Sequence, residues 1–206
     1  MKALKRFLPR ALKKFARSHL YWLADPQGRQ FLFKILPRGS VGAEIGVWKG
    51  DFSKLLVRRV RPAELHLIDP WIHVTDASYS QAWYGRAGQD EMDATYESVV
   101  ARLGGHPGVT IHRETSVKAA QSFADAHFDW LYIDGDHTYE AVKADLLAWV
   151  PKVKAGGLVI CDDYVEGQWF EGGVKRAVDE FAAEKNLPVT VQAVQAILKV
   201  QPLRSP

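Results

Sequence analysis

Apolar residues along this chain follow two different spacings that alternate from one segment to the next. After Gly39, short runs rich in β-branched and aromatic residues are separated by longer stretches in which apolar residues recur every three or four positions. In one such stretch, Tyr139, Val142, Leu146 and Trp149 keep the spacing of a single helix face. The runs that predict strands are 41–47, 64–69, 108–114, 128–134, 157–163, 188–194 and 196–200.

This alternation indicates the fold class. Strands that are almost continuously apolar and separated by helices are typical of a parallel sheet with helices on both faces. We therefore expect an α/β domain with a doubly wound, mostly parallel sheet. Right-handed crossovers in such a sheet place the functional loops at the carboxyl ends of the strands. The segment 31–36 predicts a covering helix before the sheet begins.

Charged residues are distributed unevenly along the chain. Its 206 residues suit one domain, and 47% hydrophobic with 25% charged residues is ordinary for a soluble protein. The net charge of +3 hides ten basic residues and one acid in residues 1–40, which leave a net −6 for the rest. Excess acid over the main body argues against a nucleic-acid partner.

The cysteine content and the lack of long apolar runs indicate where in the cell the protein is expected. The single cysteine, Cys161, excludes an intrachain disulfide and lies in a predicted strand, where we expect it to be buried. No run of about 18 apolar residues could cross a membrane, and no signal peptide is recognisable. We therefore expect a cytoplasmic protein.

The basic residues belong to an amphipathic arm. From Pro9 to Pro26, apolar residues at helical spacing face a basic side, so we divide the chain into a helical arm at 1–39 and a domain at 40–206. The arm either packs on the domain or on a second copy of the chain, or binds anionic lipid through residues 1–24. The second interpretation would make the protein peripheral at a membrane.

The first two strands carry a ligand-binding pattern. The first strand ends in Glu44-x-Gly46-x-x-x-Gly50, and a helix follows, whose first N–H groups are free to bind a ligand. The second strand ends at Asp69, where a carboxylate suits the hydroxyls of a ribose. The pattern predicts an adenosine-containing cofactor. Glu44 would repel a diphosphate but would favour a cationic amino-acid tail.

A second group of acids follows the next two central strands. Asp134-Gly135-Asp136-His137 comes after the fourth strand and Asp162-Asp163 after the fifth, and neighbouring strands bring these loops to one edge. Carboxylates that converge in one cleft repel each other unless a proton or cation intervenes. Oxygen ligands suit Mg²⁺. The alternative is that these acids cap loops or face water.

Together these motifs resemble the class I S-adenosylmethionine-dependent methyltransferases, and above all their metal-dependent O-methyltransferases of macrolide sugars and catechols. AEIGVWKG, HLIDPW, YIDGDHTYEAVKADLLAWVPKVKAGG and VICDDY occur in that family's order over most of residues 40–200. The resemblance implies a seven-stranded Rossmann-like sheet with an antiparallel last strand. It also implies that Glu44 lies near the methionine part of the cofactor, Asp69 near the ribose and Ser116 near the adenine.

The same resemblance assigns the second group of acids. It implies that Asp134, Asp162 and Asp163 bind Mg²⁺ and that His137 is the general base beside Asp134. The expected activity is transfer of a methyl group to a hydroxyl of a small molecule or glycan. A metal bound to adjacent hydroxyls would favour a vicinal diol. The long aromatic segment 71–96 is expected to be a lid or a substrate wall, or else to pack as a satellite of the core.

Three alternatives stay open. A metal-independent methyltransferase would use His137 and the acids only to orient its substrate. A nicotinamide oxidoreductase would use the glycine loop for a different cofactor. A membrane-attached protein could bind the cofactor without turnover.

Overall fold

The computed structural model describes residues 28–201, so the predicted arm helix lies outside the described residues. Seven strands form one sheet in the order β3-β2-β1-β4-β5-β7-β6. The strands are β1 Val41–Ile45, β2 Glu64–Ile68, β3 Val109–His112, β4 Phe128–Ile133, β5 Val153–Cys161, β6 Val189–Gln192 and β7 Gln195–Lys199.

Helices connect these strands and cover both faces of the sheet. The α-helices are α1 Leu32–Ile35, α2 Asp51–Leu55, α3 Trp83–Arg86, α4 Gln89–Leu103, α5 Ser116–Ala120, α6 Tyr139–Trp149 and α7 Gly173–Lys185. Three short 3₁₀ turns are Arg29–Phe31, Ala77–Tyr79 and Val150–Lys152, and a π-helical turn, Leu56–Val60, continues α2.

The strand pairing confirms the predicted fold class. β1 lies between β2 and β4 and runs parallel to both, and β4 runs parallel to β5. β7 is antiparallel to β5 and to β6, because only two residues connect β6 to β7 and a connection that short forms a hairpin. The antiparallel last strand was therefore predicted correctly.

The central strand β4 separates two hydrophobic layers. Leu131 and Ile133 face the layer that contains α6 and α7, whereas Trp130 and Tyr132 face the layer with α2 and α4. The register with β5 shifts between Phe128 and Trp130, which is why Phe128 faces the same layer as Leu131. Each face of the sheet is thus buried under helices.

The segment before the sheet packs onto the second of these layers. Leu32 and Leu36 are fully or almost fully buried there, which confirms the predicted covering helix within 31–36. This packing brings Arg29 to the carboxyl edge of the central strands. Cys161 is buried, as predicted. Within residues 28–201 no helix is long and apolar enough to span a membrane.

Candidate active site

The glycine loop after β1 is pressed against the loop after β4. Gly46 has φ +89°, and a Cβ there would lie 2.1 Å from the carbonyl oxygen of Asp134. The Asp134 N–H donates to the carbonyl oxygen of Ile45 at 2.7 Å. Gly50, with φ +67°, precedes the first turn of α2. The structure therefore brings the predicted cofactor loop and the predicted acid loop into direct backbone contact.

Asp69 holds two loops in place. Its carboxylate accepts the backbone N–H of Val47 and of Trp48 at 2.9 Å each, and that of Trp71 at 2.8 Å. Trp48 and Trp71 both have positive φ, at 49° and 45°, which is costly for bulky residues unless the surroundings fix it. Burial raises the pKa of Asp69 despite these three bonds. The structure gives Asp69 a loop-fixing role, and its contact with ribose stays a prediction.

Glu44 is a buried acid with spare hydrogen-bonding capacity. Only 2% of its surface is exposed, and among the described residues no atom hydrogen-bonds its Oε2. Burial raises its pKa to about 8 and outweighs the opposing effects of the neighbouring Ser53 side chain and of the Arg29 charge. A cationic ligand reaching Glu44 would therefore find an acceptor that the fold itself leaves unused.

Arg29 lies inside the site, although the charge count places it with the cations of the arm. Its guanidinium is 2.9 Å from Asp162 Oδ2 and 3.4 Å from Asp134 Oδ2, with 14% of the side chain exposed. It stacks over the rings of Phe52 and Tyr132, at 4.9 and 5.6 Å from their centroids. In the part of the chain that the structure describes, Arg29 Nε is buried without a hydrogen-bond partner. No local motif around residue 29 predicts this position.

Three of the predicted catalytic and metal-binding residues come together. Asp134, His137 and Asp163 each place one ligand atom within 4.8 Å of the others. His137 Nε2 is 3.4 Å from Asp134 Oδ1, and His137 Nδ1 is 3.6 Å from Asp163 Oδ2. This donor set fits a small divalent cation.

Asp134, His137 and Asp163 lie close enough together to change one another's pKa values. Burial and the charge of Asp162 raise the pKa of Asp134 to about 6 and that of Asp163 above its usual value. Burial lowers the pKa of His137, but its bond to Asp134 and the charges of Asp134 and Asp163 outweigh this, so the pKa lies above its usual value. The two neighbouring acids therefore make His137 a stronger proton acceptor than an isolated imidazole.

Asp162 does not join that group within the described residues. Its Oδ1 accepts from Gln195 Nε2 at 2.6 Å, and its Oδ2 accepts from the Tyr132 hydroxyl at 2.6 Å and from Arg29. It is 1% exposed. Both oxygens are therefore engaged by the core, and a metal ion would reach Asp162 only if Arg29 moved.

Ser116 begins α5, as predicted, but its hydroxyl already has a partner. Its Oγ accepts from Trp149 Nε1 at 2.7 Å. Ser116 is partly exposed, so contact with an adenine stays a prediction.

An aromatic wall lies beside His137, formed by Tyr79, Tyr84, Trp169 and Phe170. The ring of Phe170 is 5.1 Å from His137, and Trp169 is 5.9 Å from Tyr79 and 6.3 Å from Tyr84. Sequence reasoning missed Trp169 and Phe170, although an adjacent aromatic pair in a loop after a central strand is a usable signal.

The segment 71–96 contributes to this wall only in part. Trp71 is 1% exposed and packs on Tyr96, so it belongs to the core. The Tyr79 hydroxyl donates to Asp136 Oδ2 at 2.8 Å, which ties the segment to the loop after β4. Tyr79 and Tyr84 are therefore residues of this segment that join the aromatic wall.

Comparisons with known proteins agree with the fold and motifs. A family model described as a methyltransferase domain matches residues 43–164. An uncharacterised protein, y4gI, of Sinorhizobium fredii is 26% identical over 163 residues, which cover 76% of this chain and 16% of that protein. The chain thus spans about a sixth of that relative's length.

Two solved structures share the fold at low identity. The O-methyltransferase NovP is 20% identical with a TM-score of 0.57, covering 86% of this chain and 77% of that one. The tRNA methyltransferase TrmK of B. subtilis is 11% identical with a TM-score of 0.55, covering 85% and 66%. One is an O-methyltransferase and the other methylates tRNA, so the shared fold does not identify the acceptor of this chain.

Proposed function

The chain belongs to the methyltransferase-domain family, and from that premise we propose that it transfers the methyl group of S-adenosylmethionine to a hydroxyl of a small molecule or glycan, assisted by a divalent cation. The observation that carries the proposal is the contact between the glycine loop and the loop of Asp134 and His137. That contact brings groups suited to activating a hydroxyl beside the place where the family binds its methyl donor.

The residues present fit the amino-acid tail of the cofactor. This tail is a zwitterion, with an ammonium and a carboxylate on one carbon. Within residues 28–201, Glu44 Oε2 and Arg29 Nε are a buried acceptor and a buried donor that lack partners. Unsatisfied buried polar atoms cost free energy, so a ligand that pairs with both is favoured. Glu44 would hold the ammonium and Arg29 the carboxylate.

Methylation of a hydroxyl requires that the hydroxyl lose its proton. The methyl carbon passes from the sulfonium sulfur to the acceptor oxygen, so a C–S bond breaks, a C–O bond forms, and the hydroxyl proton must be removed. His137 takes that proton, and Asp134 and Asp163 hold its ring and stabilise the imidazolium that results. A divalent cation held by Asp134 and Asp163 would lower the pKa of a hydroxyl bound to it.

The aromatic wall supports a flat or ring-shaped acceptor. Tyr79, Tyr84 and Trp169 pack against one another, and Trp169 lies 6.4 Å from the His137 ring; aromatic rings of this kind pack well against sugars and phenols. The net negative charge of residues 41–206 opposes a polyanionic acceptor such as a nucleic acid. A diol in a sugar or a catechol is therefore the acceptor class to test first.

The test separates binding from turnover. Transfer of a labelled methyl group to a panel of sugar and catechol diols is measured for the wild type, His137→Ala and Asp163→Asn. We expect both variants to lose transfer while calorimetry still shows S-adenosylhomocysteine binding. Full transfer by both variants would refute the assignment of the acceptor side.

Arg29 can be tested against ligands that differ only in the tail. We expect Arg29→Gln to weaken S-adenosylhomocysteine binding by about tenfold or more, while methylthioadenosine, which lacks the amino-acid tail, binds both proteins equally. Arg29→Lys serves as the matched variant that keeps the charge. Equal losses for the two ligands would show that Arg29 only supports the fold.

One observation favours a second candidate, a metal-independent methyltransferase. Arg29 already forms ion pairs with Asp134 and Asp162, two of the three predicted metal ligands. In this candidate the guanidinium supplies the positive charge, and His137 acts alone on the acceptor. Turnover that persists in EDTA and gains nothing from Mg²⁺ would select it.

A further inference from the structure

A second group of metal-ligating side chains lies at the opposite edge of the sheet from the active site. Glu64 begins β2, His66 lies in the middle of that strand, and His127 directly precedes β4. Each offers one ligand atom, and these atoms lie within 4.8 Å of one another. The chain therefore brings two imidazoles and one carboxylate together far from the glycine loop.

Two of these ligand atoms are buried and unused. Among the described residues, neither His66 Nε2 nor His127 Nε2 has a hydrogen-bond partner. The nearest carboxylate oxygen, Glu64 Oε2, is 3.7 Å from His66 Nε2, which is too long for a hydrogen bond. Leaving such groups unpaired away from water is unfavourable, so a ligand that pairs with both would be stabilised there.

The surroundings hold the two rings in place. His66 Nδ1 is 3.0 Å from His112 Nε2. When His66 carries its proton on Nδ1 and donates it to His112, its Nε2 has a free lone pair, which faces Glu64 and His127. The rings of Phe123 and Phe128 pack against His66 at centroid distances of 4.9 and 5.7 Å. The Glu64 side chain is 55% exposed, which leaves an entrance from solvent.

We propose that Glu64, His66 and His127 form a zinc-binding site that is independent of the methyl-transfer site. Two imidazole nitrogens and one carboxylate are a common donor set for Zn²⁺, with water or another group in the fourth position. Bound there, zinc links β2 to the segment that enters β4. The site therefore stabilises the fold and takes no part in the transfer reaction.

The experiment uses the full chain after metal removal by dialysis against a chelator. Zinc uptake is followed by calorimetry, and Co²⁺ uptake by the visible absorption of tetrahedral Co²⁺ with nitrogen and oxygen ligands. The variants are Glu64→Gln and His127→Gln. The matched control is His106→Gln, because His106 is exposed and the hydrogen bond shown for its side chain is to the neighbouring Pro107 carbonyl. Asp163→Asn removes the other candidate group.

The expected result is one zinc equivalent in Asp163→Asn, which keeps this cluster and lacks the other candidate group, and the same uptake when His106→Gln is added to it. The affinity of this zinc falls by an order of magnitude or more when Glu64→Gln or His127→Gln is added to Asp163→Asn. Zinc also raises the melting temperature of Asp163→Asn and not that of Asp163→Asn with Glu64→Gln, a surface change that leaves the core intact. Zinc uptake that is absent from Asp163→Asn, or that both cluster substitutions leave unchanged, would overturn the proposal.

Discussion

The buried carboxylate of Glu44 makes the stability of the ligand-free protein depend on pH in a way that one substitution should remove. The folded protein holds the Glu44 proton up to a pKa of about 8, against an ordinary value of 4.5. Between these values the folded state binds more protons than the unfolded state. Rising pH therefore destabilises the wild type through Glu44.

The size of this loss of stability follows from how far the pKa of Glu44 is raised on folding. Between about pH 5 and about pH 9, the difference in ionisation between the folded and unfolded states corresponds to about 4 kcal/mol. In Glu44→Gln no proton is lost at this position. The amide has a burial cost of its own, but that cost does not change with pH, so it cancels when the two pH values are compared.

Urea unfolding of both proteins at the two pH values measures this difference. We expect the wild type to lose about 4 kcal/mol more than Glu44→Gln on going from the lower to the higher pH. Asp145, whose pKa burial raises to about 7, is present in both proteins and contributes equally. Parallel pH profiles for the two proteins would refute the view that Glu44 is held protonated by burial.

Further predictions concern the loops of the site and the arm. Gly46→Ala should cost about 3 kcal/mol in urea unfolding, because a Cβ meets the Asp134 carbonyl at 2.1 Å and φ is +89°; an unchanged midpoint would contradict this contact. Asp69→Asn should lower stability by about 2 kcal/mol through its three N–H partners, and a wild-type melting temperature would count against it. EDTA should stop turnover by the wild type and Mg²⁺ should restore it, whereas Asp163→Asn should not be rescued. Removal of residues 1–24 should abolish binding to anionic vesicles and leave turnover intact if the arm binds lipid; loss of turnover or of self-association would instead favour packing on the domain or on a second copy.

The positions of the strands along the chain and the positions of the acids were open to prediction because both depend on local pattern. Apolar runs of strand length fix where β1 to β5 lie, and parallel strands bring Asp134 and Asp163 to one edge. The short connection before β7 is likewise visible in the sequence.

The partners of these residues were not predictable in the same way. Arg29 reaches Asp162 only because Leu32 and Leu36 pack on the sheet, which is a long-range contact with no sequence spacing of its own. Asp162 and Asp163 are adjacent in sequence, but successive residues point in different directions. As a result one meets Gln195 and the other His137.

The ion pair that Arg29 makes with Asp134 and Asp162 bears on how the protein is produced in a cell. A guanidinium remains protonated throughout the biological pH range, and no chelator can remove it. Once the chain is folded, Asp134 and Asp162 therefore have a cationic partner before any ion or cofactor arrives. If turnover needs the divalent cation proposed above, a cell starved of that ion would still accumulate the folded active edge, and a later supply of the ion would start catalysis without new protein being made.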